Sequence, residues 1–369
     1  MTKFLGFFKK NIVMTIAWTV AVITVFFVPV DKEYLSYFDL KTLACLFSAL
    51  AVVCALKNIY FFQIVAKKII CVFKNTRSAI IALVYITFVG SMLIANDMAL
   101  ITFLPLGYFV LSQTNHKELM SFTFIMQNIA ANLGGMLTPF GNPQNLYLYS
   151  YFDIPTAEFF KIMILPFIIA ISMITICCMF VKKEALRLEQ KEGELKLDIR
   201  KTLIYSVLFV LSIAIVFNFI PFWIGLITIG FGIFYMDKDA LKEVDYPLLL
   251  TFCAFFIFSG NLSRIGVVKD TLGYLVNKNT LIFSVLSCQV ISNVPSAILL
   301  SHFTENYPAL LIGVNIGGAG TLIASLASLI TFGQFSKYQP GKIKHYILEF
   351  SLYNFSMLLI LGAVMYFVL

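Results

Sequence analysis

The sequence predicts an all-α polytopic membrane protein made of two inverted repeats. Three observations predict it. Hydrophobic residues make up 60% of the 369 residues and charged residues only 12%, roughly half the charge of a soluble domain. Apolar runs of about 17–25 residues recur along the chain, the length that crosses about 30 Å of hydrocarbon. The same kind of interruption, an Asn-bearing break inside an apolar run, appears once early and once late in each half.

The elements follow in order. Asn11 to Val30 is an apolar run too long for a signal h-region, with no small-residue cleavage site after it, and is expected to stay as a helix. Asp39–Leu56 is a second span. Ile59–Lys74 mixes Phe61, Phe62, Val65 and Ile69 with Lys67, Lys68 and Lys74, the pattern of an amphipathic helix at the membrane surface. Residues 77–114 form a re-entrant hairpin with its tip at Asn96-Asp97. Residues 118–152 form a helix broken at Thr138-Pro139-Phe140-Gly141-Asn142-Pro143-Gln144-Asn145. Phe159–Val181 closes the first repeat, which covers 1–181. The charged linker and a connector helix take 182–217. The second repeat, 218–369, has spans at Pro221–Tyr235 and Leu248–Phe258 and an amphipathic piece reaching Tyr274. Its hairpin is 280–306, its broken helix 307–331, and its final span Tyr346–Val368.

The halves align. Asn132-Leu-Gly-Gly matches Asn315-Ile-Gly-Gly, and Thr138 matches Thr321, both at an offset of 183 residues. Ala95-Asn96-Asp97 lines up with Ser292-Asn293-Val294, and Asn58 with Asn261. Corresponding interrupted spans are the sequence mark of a transporter site at a repeat interface. With a cytoplasmic N-terminus, nine crossings and two hairpins place the second repeat upside down relative to the first. On that arrangement 21 of the 27 Lys and Arg residues fall inside, as the positive-inside bias requires. The net charge of +8 therefore belongs to loops facing a lipid bilayer and implies no nucleic-acid partner.

Breaking a helix in lipid is costly unless the break lines a wet cavity. Pro139 and Pro143 remove donors and Gly141 frees the backbone, while Asn142 and Asn145 offer both donors and acceptors. Freed carbonyls suit a cation, and half-helix N-termini suit an anion. Asn96 or Asp97 is expected to cap the second arm of its hairpin, and Asn293 the second arm of the other. A buried acid is expensive unless it is paired or used in coupling, so Asp97 is the expected coupling group. Ser325 and Ser328 align with Asn142 and Asn145. The seven Cys are expected to be small buried hydrophobes. No Cys or His spacing fits a metal motif, no cofactor is implied, and no mid-depth pair suits an intramembrane enzyme.

Those motifs identify the chain as resembling the ion transporter superfamily, which includes divalent anion–sodium symporters, citrate transporter-like permeases, arsenite permeases and D-type sodium–proton antiporters. It resembles most the short YbiR-like bacterial anion permeases. The resemblance rests on Ala95–Leu100, Leu137–Asn145, Gln289–Ser296 and Val314–Gly318. It implies a substrate site of Asn96, Asp97, Asn142, Pro143, Asn145, Ser292, Asn293, Val294 and Ser325. It implies ion contacts from Asn96, Asp97, Thr138, Gly141, Asn142, Asn293, Thr321 and Ala324, with sodium at the hairpin tips. It also implies an elevator-type carrier, a homodimer, in the bacterial cytoplasmic membrane. The first symporter tip motif, Ser-Asn-Thr, is replaced by Ala95-Asn96-Asp97 and the second by Ser292-Asn293-Val294. An acid there fits a sodium- or proton-coupled carrier of a small carboxylate or an oxyanion such as arsenite, or alternatively a sodium–proton antiporter.

Overall fold

The computed structural model describes residues 11–70, 72–185 and 197–369. The middle of the charged linker predicted at 182–201 lies outside the described residues. The described chain is helical throughout apart from turns and one isolated bridge between Asn75 and Ala185. It is a polytopic membrane protein.

The helices in the first half are α1 (Ile12–Val25), α2 (Leu40–Asn58), α3 (Phe61–Ile70), α4 (Thr76–Ile94), α5 (Asn96–Gln113), α6 (Met120–Gly134), α7 (Pro143–Tyr151) and α8 (Thr156–Met179). Next comes α9 (Ile199–Val216), the expected connector. The second half holds α10 (Phe222–Met236), α11 (Lys238–Glu243), α12 (Tyr246–Arg264), α13 (Gly266–Lys278), α14 (Thr280–Ile291), α15 (Asn293–Leu300), α16 (Tyr307–Ile316), α17 (Leu326–Tyr338) and α18 (Ile343–Val368). Long and apolar enough to cross a membrane are α2, α4, α8, α9, α12 and the α18 segment, six among the described residues.

Two broken helices form the centre. Every residue of α6 except Phe122 is buried, and so is every residue of α16 from Ala309 to Ile316. A helix buried all round belongs in the middle of the bundle. The outer helices instead expose large apolar side chains, such as Phe26 beyond α1, Ile168 on α8, Phe231 on α10 and Leu348 on α18. In water these exposed rows would be costly; against acyl chains they are the solvent-facing surface. Cys45, Cys54, Cys178 and Cys288 are buried, and the remaining described Cys are half-buried.

Contacts made in one half recur in the other. Helix α12 packs on α1, and α2 packs on α10. At the first junction Asn261 donates to Thr24 Oγ1 (3.0 Å). At the second, Asn58 donates to Asp237 (3.2 Å). Arg264, at the end of α12, reaches back to Asp31 beyond α1 (2.6 Å); its hydrogen bonds hold the Asp31 carboxyl below the usual carboxylate range. Lys57, at the end of α2, reaches Glu243 beyond α10 (3.5 Å).

Polar contacts between loops fall into two groups. One contains Lys57–Glu243, Arg77 to the Val181 carbonyl (2.6 Å), Thr76 to the Lys182 carbonyl (2.6 Å) and Gln339 to the Lys117 carbonyl (3.2 Å). The other contains Arg264–Asp31, Tyr307–Glu158 (2.6 Å), Tyr151–His302 (3.4 Å) and Asn277 to the Phe303 carbonyl (3.2 Å). The first group holds the loops assigned to one side by the crossing count, the second those assigned to the other.

The two hairpins differ from each other in length. Arms α4 and α5 have 19 and 18 residues, about 28 Å each at 1.5 Å per residue. Arms α14 and α15 have 12 and 8, about 18 and 12 Å. Length and composition alone would let α4 cross the bilayer. Single cysteines replacing Ser36 and Lys278 in a Cys-free background should label with an impermeant thiol reagent from one side of sealed vesicles. Cysteines replacing Glu243 and Lys342 should label only from the other. Mixed labelling within either pair would overturn the crossing count.

Candidate functional site

Each hairpin turns on one residue with positive φ: Ala95 (φ 64°, ψ 149°) and Ser292 (φ 75°, ψ 160°). Neither is glycine, so both turns carry backbone strain of the kind that collects at functional positions. These residues occupy the N-cap positions of α5 and α15, and neither makes a side-chain cap bond. Of the expected caps, Asn96 and Asn293 sit one residue further on and Asp97 sits two. The Asn96 side-chain oxygen accepts from the Asp97 N–H (3.0 Å), and that of Asn293 from the Val294 N–H (2.9 Å). The turn needs its positive-φ residue at the cap, which moves each Asn into the first helical turn.

Both broken helices restart at an extended residue. Asn142 accepts from the Asn145 N–H (2.9 Å) and Ser325 from the Ala327 N–H (3.2 Å). Each break frees backbone carbonyls, and one side-chain amide satisfies them. In the first break Asn145 Nδ2 lies within reach of the carbonyls of Gly135 (3.3 Å), Met136 (3.0 Å) and Thr138 (3.1 Å). In the second, Gln289 Nε2 donates to Gly317 (2.8 Å) and Ala319 (3.2 Å), and its oxygen accepts from the Thr321 N–H (2.8 Å). The break at Gly141 also needs glycine for space: a Cβ there would collide with the Gly135 carbonyl. Thr138 and Thr321 tie each break to its hairpin, donating to the Met92 (2.7 Å) and Gln289 (3.2 Å) carbonyls.

The two breaks are then joined crosswise. Ser325 donates to Asn132 (2.7 Å), and Asn142 donates to Asn315 (2.9 Å). Ser325 and Asn142 correspond at the 183-residue offset, and so do Asn315 and Asn132. Asn96 also donates to Asn132 (3.3 Å), bringing the first hairpin tip to the centre. Asn315 donates to Asn145 (2.6 Å), and Ser292 donates to the Ala324 carbonyl (3.3 Å). Asn132 and Asn315 were legible as a matched pair in the alignment but were not among the expected ligands. Their signal was the shared Asn-x-Gly-Gly spacing itself.

A cavity of about 70 Å³ lies against this junction, room for a few waters. Ala95, Asp97, Asn142, Pro143 and Leu326 line it from the site, and Cys45, Leu46 and Leu50 of α2 form its opposite wall. Helices α5, α7 and α17 all start at it, so three positive helix ends meet one small space. Asp97 is half-buried, and its buried Oδ1 makes no hydrogen bond among the described residues. Asp245, an exposed residue capping α12 through the Leu248 N–H (3.0 Å), lines the same cavity. The sequence alone separated these two acids by more than a hundred residues and gave no reason to pair them. Of the expected site residues, Asn96, Thr138, Gly141, Asn145, Ser292, Asn293, Val294, Thr321, Ala324 and Ser325 do not line this cavity; a Cβ on Gly318 would touch Asn293 (3.1 Å).

The chain is similar to known proteins over most of its length. The citrate transporter family model matches residues 4–307. The chain belongs to the citrate transporter family. An uncharacterized transporter, MJ0456, of Methanocaldococcus jannaschii is 34% identical over 296 residues, covering 79% of this chain and 80% of that protein. The inner membrane protein YbiR of Escherichia coli is 28% identical over 316 residues, covering 83% and 82%. This family member is a membrane transporter and not an enzyme; of its central junction, Asn315 and Ser325 lie beyond the matched region and the first-half residues within it.

Replacing Asn145 by Ala removes the amide that serves three carbonyls and the acceptor of Asn315. It should cost about 3 kcal/mol of stability, the scale for orphaned buried polar groups, read as a lower thermal midpoint in detergent. An unchanged midpoint would show that water or neighbours satisfy the break instead.

Proposed function

We propose that this protein is a secondary active transporter, coupled to sodium or protons, that moves a small anion by elevator-type alternating access. The anion is a carboxylate or an inorganic oxyanion. Two inverted repeats, 1–181 and 218–369, build it around the linker and connector 182–217, and it works as a homodimer with a cytoplasmic N-terminus. The observation that carries the proposal is the crosswise pair of bonds, Ser325 to Asn132 and Asn142 to Asn315, equivalent contacts exchanged between the two breaks. Residues exchanged in this way are what a two-fold related pair of repeats places at its midplane interface.

The cavity supplies a charge arrangement for coupled binding. Three helix N-termini favour an anion there. Asp97 opposes an anion unless a sodium ion or proton neutralises it, which makes cation and anion binding interdependent. In this scheme Asn142 and Pro143, which line the cavity, form the substrate side together with Asn96, Asn145, Ser325 and Asn293 of the adjoining junction, with Ser292 and Val294 at the second tip. Thr138, Gly141, Thr321 and Ala324 supply oxygens to the coupling ion.

A second scheme, sodium–proton antiport, is favoured by one specific observation, the unpaired buried oxygen of Asp97. A single carboxylate that must always carry a sodium or a proton exchanges one for the other without any anion. Flux in proteoliposomes under separately imposed sodium and proton gradients distinguishes the schemes. Symport predicts gradient-driven uptake of labelled anion, and antiport predicts sodium-driven proton movement without anion. Asp97→Asn should abolish gradient-driven flux in either scheme while leaving the folded protein intact; full activity in that variant rejects both.

Asp245 marks the exposed end of the cavity and should concentrate the cation there. Asp245→Asn keeps the helix cap, because Asn caps as well as Asp. It should raise the half-saturating cation concentration at low ionic strength, and the difference should vanish at high salt, where the charge is screened.

A further inference from the structure

Away from the central junction, a second cavity of about 430 Å³ opens where the α5–α6 turn meets the α17–α18 turn. Lys117, Lys342, Lys344 and His345 line it, with one acid, Glu118, and with Ser121, Gln339, Gly341 and the buried ring of Phe335. Gln339 joins the two turns by donating to the Lys117 carbonyl (3.2 Å). Stacked Tyr108 and Tyr338, 3.8 Å between ring centres, join α5 to α17 just behind it.

The three lysines and Ser121 lack side-chain partners among the described residues. Lys117, Lys342 and Lys344 make no ion pair among the described residues, although both acids nearby are engaged: Glu118 with His116 (3.1 Å) and Glu349 with His345 (3.4 Å). Ser121 lies on the cavity, is 5% exposed, and its hydroxyl has no hydrogen-bond partner. Helix α18, 26 residues long, begins at the same place with no side-chain cap and no acid in its first turn. Unpaired cations, an uncapped helix start and an orphaned buried hydroxyl together make a recess for an anion with several oxygens. The recess sits at the ends of membrane-spanning helices, with an aromatic floor beside apolar, lipid-facing surface. That is the depth of a phospholipid phosphate.

We infer that this recess binds the phosphate headgroup of an anionic phospholipid, which bridges Lys117 on the first broken helix's approach to Lys342 and Lys344 at the start of α18. The lipid then clamps the base of the first hairpin to the foot of the second broken helix, leaving the central junction untouched.

The test measures the full chain in nanodiscs of phosphatidylcholine with and without phosphatidylglycerol. Phosphatidylglycerol should raise the thermal midpoint of the wild type and leave one lipid retained in native mass spectra. Lys342→Gln/Lys344→Gln should lose more than half of that rise and the retained lipid. Ser121→Ala, which alters no charge, should lose part of both. Lys182→Gln/Lys183→Gln, an exposed pair in the linker, should keep the whole rise. An equal rise in all variants overturns the site in favour of diffuse surface charge. Inorganic phosphate reproducing the full rise in phosphatidylcholine alone overturns the lipid and makes this a site for a soluble anion.

Discussion

The structure depends on one constraint: a backbone carbonyl freed inside a membrane must find a donor. Each central helix is broken, and water is scarce at that depth. A single amide solves the problem in each half. Asn145 serves three carbonyls of its own break. Gln289 serves the other break from a hairpin arm. Once these amides are in place, the hairpin is pinned to the break, because Thr138 and Thr321 bond to hairpin carbonyls at Met92 and Gln289. Those carbonyls correspond at the 197-residue offset that also relates Asn96 to Asn293 and Ala95 to Ser292. Local backbone need thus fixes tertiary geometry.

Much of this was legible beforehand, for a physical reason. Lipid forces long apolar runs and penalises polar interruptions, so Asn96, Asn142, Asn293 and Asn315 stand out against their surroundings. Helices α6 and α7 are separated by residues 135–142 and α16 and α17 by residues 317–325, and α3 and α13 cover the amphipathic stretches. What stayed hidden depends on three dimensions. Cap identity was off by one residue because positive φ at Ala95 and Ser292 leaves no mark in an alanine or a serine. The cavity pairing Asp97 with Asp245 comes from packing α2 and the start of α12 against the first hairpin. Gln289 looked like an ordinary helical residue because its partners, Gly317 and Ala319, are backbone atoms of a distant turn.

The two halves share a plan but not a chemistry. The first tip bears an acid and the second a valine at the corresponding place, Asp97 against Val294. The first hairpin has long arms, and its tip reaches Asn132 through Asn96. The second has short arms, and its tip bonds instead to the Ala324 carbonyl through Ser292. The crosswise bonds between breaks are symmetric in position yet differ in kind, Ser325 being a hydroxyl and Asn142 an amide. Equivalent positions therefore recur in the two halves, while of the two hairpin tips only the first bears a charge.

That confinement bears on how such a site would work. An anion held by three helix ends next to an unpaired carboxylate is bound weakly unless a cation arrives, and a cation beside those helix ends is bound weakly unless an anion arrives. Each ligand removes the repulsion that the other meets, so the coupling free energy is electrostatic and reciprocal. The wall opposite the site is α2, whose Cys45, Leu46 and Leu50 offer no charge of their own. In the proposed carrier, a site whose charges balance would pass such an apolar wall at lower cost than a site carrying one uncompensated charge. In the proposed carrier, coupling then needs no separate gate: any form left with an uncompensated charge, the empty site with ionised Asp97 included, is held back by the desolvation of that charge.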